Sequence, residues 1–394
     1  MWKSFRVGSL FGIPIKLDVT FLLILPIFAY LIAVQIELAA DLFNESMGAA
    51  IDVDALTGGY TPYVWGLVAA IGLFIGVVLH ELGHSLTAQR FGYPIDSITL
   101  WLLGGIAALS EMPENWRQEF AIAIAGPIVS VLVGVVSYGL FIVTPESLDG
   151  ARFIFAYLAV LNIALAIFNM LPAFPMDGGR ILRALLARNQ PYAKATQQAA
   201  AIGKGFAVLM GLFGLFALNP VLIAIALFVY IAASGESQQV TMKAAFEDVT
   251  VRDIMTPAGR LQTVTTQTSV EELIERMFRE RHTAYPVLED GYLVGLVTLT
   301  DARDVRPVER EAFTVSDILR RDVESISPES DVMSAIEQMR SSNESRILVV
   351  EPSEEWNGGG DLVGIISRSD VMTALDVVQQ SGAVAPVGER RFAD

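Results

Sequence analysis

A His-Glu-x-x-His segment, His80-Glu81-Leu82-Gly83-His84, lies inside an otherwise uncharged apolar run, residues 63–89. On a helix, residues four apart project from one face, so both imidazoles can turn to a single metal ion. Glu81 follows the first ligand directly and is placed to contact a metal-bound water. A carboxylate there takes a proton as the water attacks a carbonyl and can pass it to the leaving nitrogen. The alternative is a pair of core histidines that happen to fall four apart. Against it, the chain has three histidines in all, and two of them are here. Ionisable groups in the middle of a membrane span are costly and mark function.

The surrounding chain is suited to hold such a site in a bilayer. Of 394 residues, 53% are hydrophobic, and they fill residues 17–235 in blocks long enough to cross a membrane. With no cysteine, disulfides and thiolate ligands are excluded, and a metal must be held by nitrogen and oxygen. The first block ends in Gln35-Ile36-Glu37 rather than a small-residue cleavage site, which predicts a retained span. The net charge of −16 sits mainly in residues 241–394, which carry 16 basic against 28 acidic residues. That balance argues against nucleic acid as a partner.

Loop charges orient the spans. Lys3, Arg6 and Lys16 precede the first span, residues 17–36, and basic flanks favour the cytoplasm. The loop 37–62 is acidic without a basic residue and is expected outside. The second span, 63–89, returns to Arg90. At ~1.5 Å per residue His84 lies on the order of 9 Å from that cytoplasmic end. A third span, 120–144, and a fourth, 153–171, follow; a fifth and sixth, 202–218 and 220–233, form a hairpin. Six spans put both termini in the cytoplasm. Alternation over residues 95–101, then Gly104-Gly105, predicts a short β-hairpin, either dipping into the membrane beside the site or flanking the third span on the surface. Ala121, Ala123, Ala125 and Gly126 suit close helix packing in lipid.

The fourth span ends in Asn169-Met170-Leu171-Pro172-Ala173-Phe174-Pro175-Met176-Asp177-Gly178-Gly179-Arg180, on the same side as the histidines. Catalytic zinc takes three protein ligands and keeps one position for water. Asp177, framed by proline and Gly-Gly, is the candidate third ligand; its alternative is a helix cap. Asp96, Glu111, Glu114 and Glu119 sit in looser surroundings on that side. These two motifs, in this order, resemble the site-2 protease family of intramembrane zinc metalloproteases, a likeness covering residues 1–240. The resemblance implies that His80, His84 and Asp177 bind one zinc, that Glu81 is the general base, and that Asn169 helps hold the substrate carbonyl or oxyanion. It also implies that the Leu103-Gly104-Gly105 stretch lies near substrate. A substrate helix hides its backbone amides, so its cut region must unwind. The extended strand could then add to an enzyme strand edge, for which residues 95–101 are the candidate.

From Val249 the composition turns soluble and a repeat emerges. Val251-Arg252-Asp253-Ile254-Met255-Thr256-Pro257, an amphipathic helix, then Ala284–Leu288 and Leu293–Asp301 form one copy; Val315–Leu319, a helix, then Arg346–Val350 and Leu362–Asp370 form the other. The two resemble a tandem pair of CBS domains. That likeness implies a possible adenine-nucleotide site at Thr298 and Asp301 or at Ser367 and Asp370, and dimerisation; each Asp equally suits a helix N-cap.

The resulting expectation is a polytopic α-helical membrane protein of six spans with a membrane-associated β-hairpin, and a cytoplasmic α/β CBS module. Residues 1–240 form the protease domain, 241–312 a linker and first CBS domain, 313–378 the second, and 379–394 a flexible tail. The expected activity is zinc-dependent cleavage within the membrane segment of membrane-anchored proteins, in the cell membrane, as a homodimer joined by its CBS domains. A different class of reading is a CBS-gated transporter or channel whose His, Glu and Asp residues line an ion path. Bound zinc with peptide-bond cleavage separates the two.

Overall fold

The computed structural model describes residues 4–101, 104–109, 113, 115–289, 292–321, 323–351 and 361–380. Glu111, Glu114, Leu103 and most of the expected tail lie outside the described residues. The chain divides into two compact units, Met1–Val240 and Thr241–Asp394.

Among the described residues the first unit opens with two strands, β1 (Ser4–Leu10) and β2 (Ile13–Asp18). The Asp18 carboxylate then accepts from the Thr20 amide and caps α1 (Val19–Val34), as an N-cap aspartate does. The expected straight first span is broken. α1 ends at Val34, and α2 (Ile36–Met47) leaves at 60° to it. The sequence of α2 explains the bend: Ile36, Ala40 and Phe43 are buried, while Glu37, Asp41 and Glu45 make an exposed acidic stripe one turn apart. Such a stripe cannot continue into an apolar layer. A short α3 (Val53–Thr57) then fills part of what was expected to be loop.

Four long helices follow the second-span pattern: α4 (Thr61–Arg90), α5 (Trp116–Val143), α6 (Asp149–Asn169) and, after the short α7 (Asp177–Ala187), α8 (Tyr192–Phe216), with α9 (Pro220–Ala245) as the fifth. These five are long and apolar enough to cross a membrane, and the bent pair α1–α2 makes a sixth if counted as one span. α8 and α9 run well beyond the expected fifth and sixth spans because polar residues extend their ends.

Glycines set the helix spacing. A Cβ at Gly150 would overlap Trp65, one at Gly72 would lie 3.0 Å from Leu158, and one at Gly76 would lie 2.6 Å from the Asn162 Oδ1. The three pairs advance in step, so α4 and α6 run parallel in one register. At Gly83 a Cβ would come within 2.9 Å of the Ala125 carbonyl, which brings α5 against the stretch of α4 that carries His80 and His84. Backbones meet this closely in lipid only where side chains are absent.

Between α4 and α5 lie β3 (Ile95–Trp101) and β4 (Gly104–Leu109). The expected hairpin is there, but it is half of a four-stranded sheet ordered β1-β2-β3-β4. β2 pairs parallel with β3 (Ile15↔Ile98), and β3 pairs antiparallel with β4 (Ile98↔Ala107). Residues 95–101 are therefore an interior strand, bonded on both sides, and cannot accept an added strand. The sequence could not reveal this, because the partner β2 is 80 residues upstream and reads as a basic flank. Among the described residues, β4 is the edge on the α4 side.

At the α7 end, Arg183 is 1% exposed and binds two carboxylates. Its Nε and Nη2 reach Glu119 Oε1 of α5 at 2.7 and 2.6 Å, and its Nη1 reaches Glu236 Oε1 of α9 at 2.5 Å. The Phe174 and Tyr192 rings each lie 4.9 Å from the guanidinium carbon. Glu119 is thereby committed to Arg183 rather than to a metal.

In the second unit each repeat supplies a hairpin, Ala284–Glu289 with Tyr292–Thr298 and Arg346–Glu351 with Asp361–Ser367. The lead segments are exchanged. Thr256–Pro257, which opens the first repeat, pairs with the second repeat's strand (Gly364↔Pro257), and Val251 packs with Val332, Ile347 and Ile366. Reciprocally, Val315 packs with Val270 and Leu273 of the first repeat, and Arg320 bridges to Leu296.

Replacing Arg183 with Met leaves Glu119 buried without its partner, so a loss of about 3–5 kcal/mol is expected, read as a lower unfolding temperature in detergent. Glu236→Gln, at a carboxylate 28% exposed, is expected to lose less.

Candidate active site

His80 and His84 lie one turn apart on α4, and Asp177 is the first residue of α7. All three are buried. The two Nε2 atoms are 3.1 Å apart, and Asp177 Oδ2 lies 3.1 Å from the one and 3.2 Å from the other. Asp177 is turned into this triangle from the first turn of its helix, where Met176 occupies the N-cap position.

The other ring nitrogens are tethered to α5. His84 Nδ1 donates to the Ile122 carbonyl at 2.7 Å, and His80 Nδ1 meets Ser130 Oγ at 2.8 Å. With a proton spent on Ile122, His84 presents a bare lone pair at Nε2. The carboxylate oxygen and the second imidazole present lone pairs to the same point. Three acceptors cannot stay at these separations without a cation or a proton among them. The spacing suits a metal, since ligands about 2.0–2.1 Å from a tetrahedral zinc lie about 3.3 Å from one another. The donor set, two imidazoles and a carboxylate, is also one that zinc takes at catalytic sites.

Room for the triangle comes from Gly126 of α5. A Cβ there would run into the His84 ring and lie 2.8 Å from His80 Nε2. Gly126, Ile122 and Ser130 were not read from the sequence as part of the site. The only signal was the run of small residues on the third span, four apart at Gly126 and Ser130.

The Asp177 loop is shaped by its own glycines and roofed by α8 and α9. A Cβ at Gly178 would strike the carbonyls of Met170 and Leu171. Ala173 and Met176 pack with Ala207 and Val229, while Phe174 packs with Ala199, Ala200 and Ala233. The carboxylate is thus delivered by a loop with little freedom.

Glu81 points elsewhere. Being one residue past His80, it turns out of the ligand triangle towards β4, where a Cβ at Gly105 would lie 2.5 Å from Glu81 Cγ and 3.2 Å from Oε1. The carboxylate therefore stands between the candidate ligands and the edge of the sheet. Asn169 closes α6, and its Nδ2 donates to the Leu165 carbonyl of its own helix at 3.0 Å rather than to the cluster. Two turns on from Asn162, it continues the register in which Asn162 faces Gly76, and so falls level with Gly83, between the two histidines. Asp96 is exposed on β3, and His282 packs against Tyr285 in the second unit.

The profile of Peptidase family M50 matches residues 68–147 and 144–212, and that of the CBS domain matches residues 251–307 and 315–377. A zinc metalloprotease of Methanocaldococcus jannaschii is 35% identical over 376 residues, covering 95% of this chain and 97% of that one. The chain belongs to peptidase family M50, the site-2 proteases. Stage IV sporulation protein FB of Bacillus subtilis is 29% identical over 185 residues, 44% of this chain and 62% of that one. A solved site-2 protease from Methanocaldococcus jannaschii is 38% identical and covers 60% of this chain and 95% of its own, at a TM-score of 0.41.

The CBS pair sets its two candidate sites differently. Thr298 and Asp301 cap their helix reciprocally, with the Thr298 hydroxyl donating to Asp301 Oδ2 at 2.6 Å, and Ser367 does the same with Asp370 at 2.6 Å. The plain N-cap role is therefore real at both. Each carboxylate also faces the other repeat's lead segment: Asp370 lies 3.4 Å from the Thr256 hydroxyl, and Asp301 lies 3.5 Å from Arg320 Nε. A cavity of about 290 Å³ opens on the Arg320 side, lined by Leu296, Arg320, Val323, Glu324, Ser342, Glu344 and Arg346.

In this M50 site, Ser130→Ala removes a hydrogen-bond partner behind a metal-binding imidazole and is expected to weaken zinc binding about 10–100-fold. Gly126→Ala, which fills the ligand space itself, is expected to weaken it further. Competition against a chromophoric chelator measures both.

Proposed function

We propose that this chain is an intramembrane zinc metalloprotease that cuts peptide bonds in the membrane segments of membrane-anchored proteins, with His80, His84 and Asp177 as zinc ligands and Glu81 as general base. The observation that carries the reading is the convergence of three candidate ligand atoms within 3.2 Å of one another, behind two α5 tethers. Zinc bound there supplies a Lewis acid and lowers the pKa of a water to about 7.

The chain's own residues do the rest. Glu81, between the ligands and β4, takes the proton from the attacking water and returns it to the leaving amine. Asn169, level with the histidines, releases Leu165 and donates its amide to the oxyanion of the tetrahedral intermediate. The substrate's unwound stretch adds to the free edge of β4, where Gly104 and Gly105 present backbone without side chains and Glu81 lies alongside. Main-chain pairing of this kind binds many sequences and aligns a scissile bond. The alternative of a transporter or channel fits poorly, because the ligand atoms close on one point instead of forming a succession of sites along a path.

The basic residues at Arg90, at Arg117 and from Arg180 to Lys204 argue for the active site and the CBS module on the cytoplasmic side, with both termini there. The CBS pair regulates the protease and joins two copies. An adenine nucleotide fits the Arg320 side, where Arg320 and Arg346 can meet phosphate and Asp301 can accept from ribose hydroxyls.

The test is cleavage of a single-span substrate by the purified, reconstituted protein. Glu81→Gln is expected to lose about 10²–10⁴-fold in rate while keeping its zinc; equal cleavage by both proteins overturns the assignment. Asn169→Ala is expected to lose about 10²–10³-fold, mainly in kcat. For the CBS pair, calorimetry with ATP is expected to show binding weakened about 10- to 100-fold in Arg320→Ala, the equivalent of one charged hydrogen bond, and unchanged in Thr256→Ala. The opposite pattern moves the ligand to the Asp370 side.

A further inference from the structure

The β1–β2 hairpin obeys the rules of neither a soluble surface nor a membrane interior. It carries four large apolar side chains in the open: Phe5 (54% exposed), Val7 (63%), Leu10 (41%) and Phe11 (73%). Its outer strand, β1, is bonded to β2 alone among the described residues. In water, an exposed apolar edge strand is an aggregation site. In the hydrocarbon interior, the unpaired N–H and C=O groups along that edge would have no partners.

The turn adds a second anomaly. Phe11 and Gly12 have φ of +50° and +83°, the left-handed pair that a two-residue hairpin turn demands. Asn, Asp or Gly normally takes the first of these positions, and a bulky aromatic there is an outlier. The fold gives Phe11 little in return, since the ring stands outside it. A residue that breaks a local rule without gain inside the molecule points to a partner outside it.

Charge and chain path say which partner. Residues 1–16 contain Lys3, Arg6 and Lys16 and no acidic residue. β2 runs into α1 with only Asp18 as the cap between them, so the base of the hairpin is fixed where α1 meets the bilayer. The one environment that solvates an open strand edge, accepts apolar side chains and favours lysine and arginine is the headgroup boundary of an anionic leaflet. We propose that the β1–β2 hairpin lies along this boundary, with Phe5, Val7, Leu10 and Phe11 in contact with lipid and Arg6 and Lys16 on lipid phosphates. Because β1 to β4 form one hydrogen-bonded sheet and β4 borders Glu81, this anchor fixes the depth at which a substrate strand is presented. The lipid contact rests on α1 entering a bilayer and not on the protease chemistry, whereas the depth-setting role rests also on the proposed pairing of substrate with β4.

The chain has no cysteine, so single cysteines placed at Phe5, Val7 and Phe11 in the full-length protein take one nitroxide each. The labelled proteins go into vesicles of phosphatidylcholine and phosphatidylglycerol. Collision with oxygen, which partitions into lipid, is compared with collision with a water-soluble nickel chelate, with Val308→Cys in the second unit as the reference. Oxygen is expected to dominate at residue 11 and the chelate at residue 308. Dominance of the chelate at residue 11 overturns the proposal by placing the tip in water. Spin–spin broadening at residue 11 that vanishes on dilution with unlabelled protein also overturns it, in favour of a second copy. Phe11→Asn, which suits the turn, keeps the fold testable. It is expected to cleave normally in detergent but to shift the cut position or lose at least twofold in rate in anionic vesicles. Unchanged cleavage in both settings overturns the depth-setting role, whatever the nitroxides report.

Discussion

Two imidazoles and a carboxylate facing one another inside a helical bundle are tolerable only if a cation or a proton stands among them. Much of the membrane unit serves that constraint. α5 holds both rings through their Nδ1 atoms, with the Ile122 carbonyl fixing the proton of His84, and it vacates the space by presenting Gly126. α6 ends early enough for a proline-bent loop to turn Asp177 back, and α8 and α9 cover that loop. Arg183 joins the first turn of α5 to α7 and α9 through two carboxylates. Apolar burial alone would leave these helices free to slide in lipid, where there is no hydrophobic drive between them. Glycine contacts and buried polar ties fix their register.

The cluster of candidate ligands was legible because its signals are local. His80, Glu81 and His84 follow from helical spacing, and Asp177 from its side of the membrane and its Pro and Gly-Gly frame. What supports them was not legible. Ile122 acts through a carbonyl, which any residue has, and Gly126 acts by lacking a side chain. Arg183 and Glu119 look like ordinary cytoplasmic charges until the fold brings them together. Distance in sequence hid the sheet as well. β3 has the alternation of a half-exposed strand, yet a partner 80 residues upstream makes it interior and leaves β4 as the edge. The bend after α1 was readable in principle from the acidic stripe at Glu37, Asp41 and Glu45, but hydropathy averaged over a window conceals a face.

The CBS repeats carry a related lesson. Sequence similarity marks where each copy begins, at Val251 and Val315, yet these lead segments pack on the opposite copy. Repeat boundaries and packing boundaries differ because a short helix capped by Thr250 or Thr314 buries its Val wherever the facing core is open. Neither repeat has a complete core on its own, so the pair is the unit that folds. A signal received at Asp301 or Asp370 falls on the seam where the copies exchange these segments.

The parallel pairing of β2 with β3 bears on how the protein is made. Those strands are separated by everything from Val19 to Pro94, a stretch that includes the bent pair α1–α2 and the long apolar helix α4. The sheet cannot close until that stretch is complete. At about 5–20 residues per second of synthesis, β2 waits several seconds for its partner, and by then the helix that carries His80 and His84 has been made. Strand β4, the edge beside Glu81, is made last and joins a sheet whose other members are in place. A nascent chain therefore completes the helix that carries His80 and His84 before it has the edge strand beside Glu81, and sheet closure reports that everything from β1 to β4 has been made.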